Sequence, residues 1–65
     1  MKNRLRELRL ARNWSQVELG ARVGVTRQAN IAIETGRFDP SLPLAFKLAR
    51  VFDVRIEELF LDDES

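Results

Sequence analysis

The sequence has no cysteine, no histidine and no tyrosine. Without cysteine there is neither a disulfide framework nor a thiolate metal site. Without histidine the chain lacks the commonest metal ligand and the one side chain that titrates near neutral pH unperturbed. No apolar run is long enough to span a bilayer. Lys2, Arg4 and Arg6 charge the N-terminus at once, with no apolar stretch of signal-peptide type behind them. The expectation is a soluble cytoplasmic protein with no metal, no cofactor and no membrane partner. Two prolines and three glycines are all that punctuate the chain. Strand-like alternation is hard to find, so the pattern implies an all-α fold of helices joined by short turns.

The 65 residues leave room for one domain. A domain of this size buries only about 60% of the surface its unfolded chain exposes. A deep catalytic cavity would remove much of so thin a core. The chain offers only scattered surface-type carboxylates where an enzyme needs a nucleophile or a general base. Gly20 and Gly24 form no phosphate loop, since no Gly-Lys-Ser/Thr follows. The chain is therefore not expected to be an enzyme.

A net charge of +1 hides an asymmetry. Residues 1–37 carry eight Lys/Arg against three Asp/Glu, whereas residues 38–65 carry three against seven. A basic first half suits a polyanionic partner. The plainer alternative is charge that only keeps a small protein in solution.

The first helix is expected from about Lys2 to Arg12, with Leu5, Leu8 and Arg12 on one side, Arg9 beside them and Asn13 as terminator. Ser15-Gln16-Val17-Glu18 fits a capping box and starts a second helix, with Trp14 placed to staple it. Val17, Leu19 and Val23 supply its apolar contacts, and Gly24 ends it. Thr26 caps a third helix that runs through Glu34 and is closed by Gly36. Ser41 caps a fourth, with Pro43 in its first turn and Leu42, Ala45, Leu48, Ala49 and Phe52 as its inward stripe. A short fifth helix is expected at about Ile56–Phe60. The domain would occupy residues 1–61, with 62–65 as an acidic, frayed tail.

Two short helices joined at Gly24, with the small Gly20 in the middle of the first, have the pattern of a helix-turn-helix. The runs Ser15-Gln16, Glu18-Leu19-Gly20, Val23 to Gln28 and Ile33 to Arg37 carry a closer resemblance. So do Asp39-Pro40-Ser41-Leu42 with Leu44 to Lys47, and Ile56 to Phe60. Together they resemble the Cro/C1-type (Xre family) helix-turn-helix regulators over nearly the whole chain, above all the subgroup that is little more than the DNA-binding domain. The resemblance implies a five-helix, lambda-repressor-like fold with the third helix in the major groove of double-stranded DNA.

Roles follow from the resemblance one position at a time. Arg27 and Gln28 match positions that reach base edges, with Ile31 and Ala32 further along the same side. Gln16 and Arg37 match positions that hold phosphates. Arg9 and Glu34 match an ion pair that ties the recognition helix to the scaffold. The chemistry agrees, since Arg pairs bidentately with guanine and Gln with adenine, and a helix N-terminus presents free amides to phosphate. Without the family pattern, Arg27 and Gln28 would read as a solvated first turn.

The chain departs from the pattern at Asn30-Ile31, where the apolar and polar residues look exchanged. Either Asn30 is accommodated by hydrogen bonds to backbone while Ile31 faces DNA, or the helix rotates to bury Ile31 and re-aims Arg27 and Gln28. Arg55 stands where a capping residue is usual, and Asp53 where glycine is. The function implied is sequence-specific binding of a near-palindromic operator as a homodimer, as a repressor acting at the nucleoid. Helix five and the C-terminal segment, with Leu59 and Leu61, are the expected dimer surface; the alternative for these residues is ordinary core or a frayed end. The alternative is an antitoxin-like module that uses the acidic C-terminal segment to bind a protein.

Overall fold

Three hydroxyls decide where the middle helices begin. Ser15 accepts from the Glu18 amide at 3.0 Å, Thr26 from the Ala29 amide at 3.1 Å and Ser41 from the Leu44 amide at 3.3 Å. Each occupies an extended backbone position just before its helix, where a side-chain oxygen satisfies an amide that the helix leaves unpaired. The computed structural model describes residues 1–61. The acidic tail expected at 62–65 lies outside the described residues. The helices are α1 (Leu5–Ala11), α2 (Gln16–Val23), α3 (Arg27–Glu34), α4 (Leu42–Val51) and α5 (Ile56–Leu59).

Glu18 completes the capping box of α2 by accepting from the Ser15 amide at 2.9 Å. Arg55 cannot cap α5 with its side chain, but Glu58 accepts from the Arg55 amide at 2.8 Å and so supplies the reciprocal half. Asn13 and Asp53 both take positive φ, 59° and 55°, after α1 and α4. These two residue types tolerate that region better than most, which explains how Asp53 stands in for a glycine.

The first helix begins later than its sequence periodicity suggests. Lys2 and Arg4 instead pair with the other end of the chain: the Arg4 amide donates to the Leu59 carbonyl at 2.9 Å and the Leu61 amide to the Lys2 carbonyl at 2.8 Å. Asn3 sits between them and its Oδ1 accepts from the Leu5 amide at 3.0 Å, which starts α1. Extended pairing satisfies backbone groups that a longer helix would have satisfied internally.

Leu5, Leu19, Val23, Ile33, Leu48, Ala49, Phe52 and Leu59 form the core, with Leu8, Trp14, Val25 and Leu44 among the residues packed against it. Two expected core residues are outside it. Val17 and Leu42 are 60% and 63% exposed; each lies in the first turn of its helix, on a side that no neighbouring element among the described residues covers. Leu59 is fully buried. It belongs to the core and is withdrawn from the expected dimer surface, whereas Leu61 is exposed.

Candidate nucleic-acid interface

The α2–α3 unit is shaped by two glycines. Gly24 ends α2 at φ 77°, a left-handed conformation that costs glycine little. Gly20 lets the chain fold back tightly: a Cβ there would lie 2.6 Å from the Val25 carbonyl oxygen. That carbonyl approaches because the Val25 amide donates to the Gly20 carbonyl at 2.9 Å. Leu19 and Val23 are buried and Val25 half-buried in the angle between the helices. Ile33 fixes the far end of α3 in the core.

This packing divides α3 into two faces. Asn30 and Ile33 are buried, while Arg27 and Gln28 are exposed in the first turn and Ile31 and Ala32 are half-buried. Arg27 has no ion pair among the described residues. Arg37, just beyond α3, is likewise exposed and unpaired among the described residues. An exposed helix start with an arginine, a glutamine and an apolar side chain can supply donors, acceptors and methyl contacts to the edges of bases.

Behind that face lies a buried polar chain. Arg9 Nε donates to Glu34 Oε2 at 2.7 Å and its Nη2 to Glu34 Oε1 at 3.3 Å, with the two side chains 9% and 3% exposed. Arg9 Nη1 also donates to the Trp14 carbonyl at 2.8 Å. The pair thus joins α1, the α2 cap region and the end of α3. Gln16 extends the chain: its Nε2 donates to Glu34 Oε1 at 3.0 Å, and its Oε1 accepts from Asn30 Nδ2 at 3.1 Å. Asn30 Nδ2 donates in addition to the Gln16 carbonyl at 3.1 Å.

Asn30 is therefore accommodated in place, with α3 unrotated. It is fully buried, and its Oδ1 has no partner among the described residues. An unsatisfied buried acceptor costs about 1–3 kcal/mol. The family resemblance marks Asn30 as a departure but gives no sign that Gln16 is its partner, because the two meet only once the α2–α3 angle is set.

Several cations of the basic first half serve the scaffold. Arg12 donates to the Phe52 carbonyl at 3.0 Å, at the end of α4. Its guanidinium also lies 5.5 Å from the Trp14 ring centroid, and that of Arg22 lies 4.2 Å from it. Arg4 binds Glu7 at the start of α1. The hydrogen bond to Glu7, and then the attraction of the same carboxylate, hold that guanidinium still more firmly in its charged form. The charge asymmetry in the sequence therefore overstates the number of cations available to a polyanion.

A helix-turn-helix family model matches residues 5–59. The chain belongs to the Cro/C1-type (Xre) helix-turn-helix family. It carries the DNA-binding domain of a transcriptional regulator, a family of DNA-binding proteins rather than an enzyme class. An uncharacterized HTH-type transcriptional regulator from Methanocaldococcus jannaschii is 52% identical over 66 residues, covering 98% of this chain and 100% of the relative. The Bacillus subtilis HTH-type regulator YgzD is 47% identical, and both chains are covered completely. Among solved structures, the restriction-modification controller protein C.AhdI from Aeromonas hydrophila superposes with a TM-score of 0.79 at 40% identity, over 88% of this chain and 86% of that one. The expected all-α, five-helix class of this regulator is thereby shown. Among the described residues no helix is long and apolar enough to cross a membrane.

Proposed function

We propose that this regulator binds a specific double-stranded DNA operator by inserting α3 into the major groove, and that it acts there as a repressor. The observation that carries the reading is the division of α3. Its inner face is locked by Ile33 and the Arg9–Glu34 pair, while Arg27 and Gln28 stand exposed at its start. In this reading Arg27 and Gln28 reach base edges, and Ile31 and Ala32 offer apolar contact to a thymine methyl. Gln16, at the start of α2, and Arg37 hold phosphates, which sets affinity and makes it fall with salt. Repression would follow from occupying a site that transcription needs, in the cytoplasm at the nucleoid.

The same reading makes the protein a homodimer on a near-palindromic operator. An eight-residue recognition helix is about 12 Å long, against about 34 Å for one turn of DNA. One copy therefore reads one half-site. Of the exposed apolar side chains, we assign Leu42 and Phe46 on α4, 63% and 43% exposed, to the join between two copies; Phe38 and Leu61 are exposed as well. Leu42 also borders a cleft of about 240 Å³ that Pro40, Ala45, Ile56 and Phe60 help to line.

Selection of bound sequences from random duplexes tests the base contacts, repeated with Arg27→Ala and Gln28→Ala. Each substitution should relax preference at its own base position, with about 1–3 kcal/mol of discrimination lost. An unchanged preferred site in both variants would remove these two residues from base recognition.

A further inference from the structure

We propose that Asn30 is a positioning residue: it presets the side-chain amide of Gln16 so that an N–H is presented to a DNA phosphate. The inference rests on the reading of Gln16 as a phosphate contact. Its physical basis is the direction of the buried hydrogen bonds. Glu34, paired with Arg9, can only accept. Gln16 turns its nitrogen toward Glu34, at 3.0 Å, but one hydrogen bond leaves the amide free to swing about it. Its oxygen faces Asn30, whose nitrogen meets it at 3.1 Å.

The polarity of the whole row is thus fixed, from Asn30 through Gln16 to Glu34. An amide nitrogen has two hydrogens, and Glu34 takes only one of those of Gln16. Among the described residues the other has no acceptor. It sits on a half-buried side chain at the first position of α2, where backbone amides also favour an anion. Held the other way round, the amide would turn an oxygen toward the phosphate and repel it.

The cost of the arrangement falls on Asn30. Both its hydrogens go to Gln16, at 3.1 Å each, and its buried oxygen has no partner among the described residues. A residue chosen for stability alone would be apolar there. Stability and DNA binding should therefore respond in opposite directions, which a purely structural residue would not produce.

Asn30→Leu, Gln16→Ala and the double variant form a cycle read by thermal melting and by fluorescence anisotropy with a duplex selected by the wild-type protein. Asn30→Leu should melt at a higher temperature yet bind on the order of tenfold more weakly, as for a lost hydrogen bond to a charged group. Gln16→Ala should bind comparably weakly, and Asn30→Leu should add no further loss to it. Wild-type affinity in Asn30→Leu or in Gln16→Ala would overturn the proposal, as would an undiminished loss from Asn30→Leu in the Gln16→Ala background. Should Asn30→Leu not fold, Asn30→Ala enters the same cycle. NMR of the wild-type protein needs no variant: one Gln16 side-chain amide proton should be protected and the other should shift on adding duplex. A Gln16 amide as freely exchanging as that of exposed Gln28 would overturn the proposal. Failure of the wild-type protein to bind any duplex would instead overturn the DNA-binding reading, and this inference with it.

Discussion

The stability of this domain turns on single side chains more than its composition suggests. Its net stability should be about 3–10 kcal/mol, at roughly 0.05–0.15 kcal/mol per residue. Arg9 and Glu34 are 9% and 3% exposed as side chains. Removing one member of such a pair strands the other charge, at about 3–5 kcal/mol. Arg9→Ala should therefore remove a large share of the stability, about 3–5 kcal/mol. Replacing both charges with apolar groups of similar volume, Arg9→Met with Glu34→Leu, should recover most of the loss. Urea unfolding measures both. Equal destabilisation in the single and double variants would show that the stranded charge is not the cause, and would shift weight to the hydrogen bond from Arg9 to the Trp14 carbonyl.

At the scale of elements, sequence punctuation did most of the work. The starts of α2, α3 and α4 follow from Ser15, Thr26 and Ser41, because a cap is a local event that needs no tertiary partner. The start of α1 was not legible. It depends on the pairing of Arg4 and Lys2 with Leu59 and Leu61, more than fifty residues away. Val17 and Leu42 lie outside the core for a related reason: periodicity does not say which first-turn position a neighbour covers, and on α2 it is Gln16, not Val17, that meets α3. The site divides in the same way. The exposed start of α3 could be read from the family pattern, whereas the Asn30–Gln16 contact requires the angle between two helices. Gly20 sets that angle, and the prediction at this scale concerns it. An alanine in a helix interior gains about 1 kcal/mol of propensity over glycine. At position 20 its Cβ would meet the Val25 carbonyl at 2.6 Å, and backbone that must shift costs about 1–3 kcal/mol. Gly20→Ala should lower the melting temperature despite its better helix propensity. It should also weaken operator binding beyond what the melting loss explains, because the turn carries α3 with it. A variant more stable than the wild type would show that the turn yields without strain.

For the whole molecule the question is how a domain of 33 × 22 × 20 Å covers an operator. Two copies in contact place their centres within about one 34 Å DNA turn, the separation that two recognition helices on a palindromic site require. Leu42 and Phe46 lie one helical turn apart and so share a face. Both are exposed, so replacing them with serine removes little from the core, and stability should change by no more than about 0.5 kcal/mol. Serine also adds no charge that could itself repel DNA. In the proposed homodimer, Leu42→Ser with Phe46→Ser should therefore shift a wild-type dimer to monomer in sedimentation equilibrium without DNA; a monomeric wild type would overturn the dimer reading itself. On a full palindrome the variant should bind more weakly. On a single half-site it should match the wild type, since α3 and its supports are untouched. Persistence of the dimer in the double variant would place the interface elsewhere, with exposed Phe38 and Leu61 the next residues to change. A loss of equal size on half-site and palindrome would instead mean that the α4 face contributes to DNA contact directly.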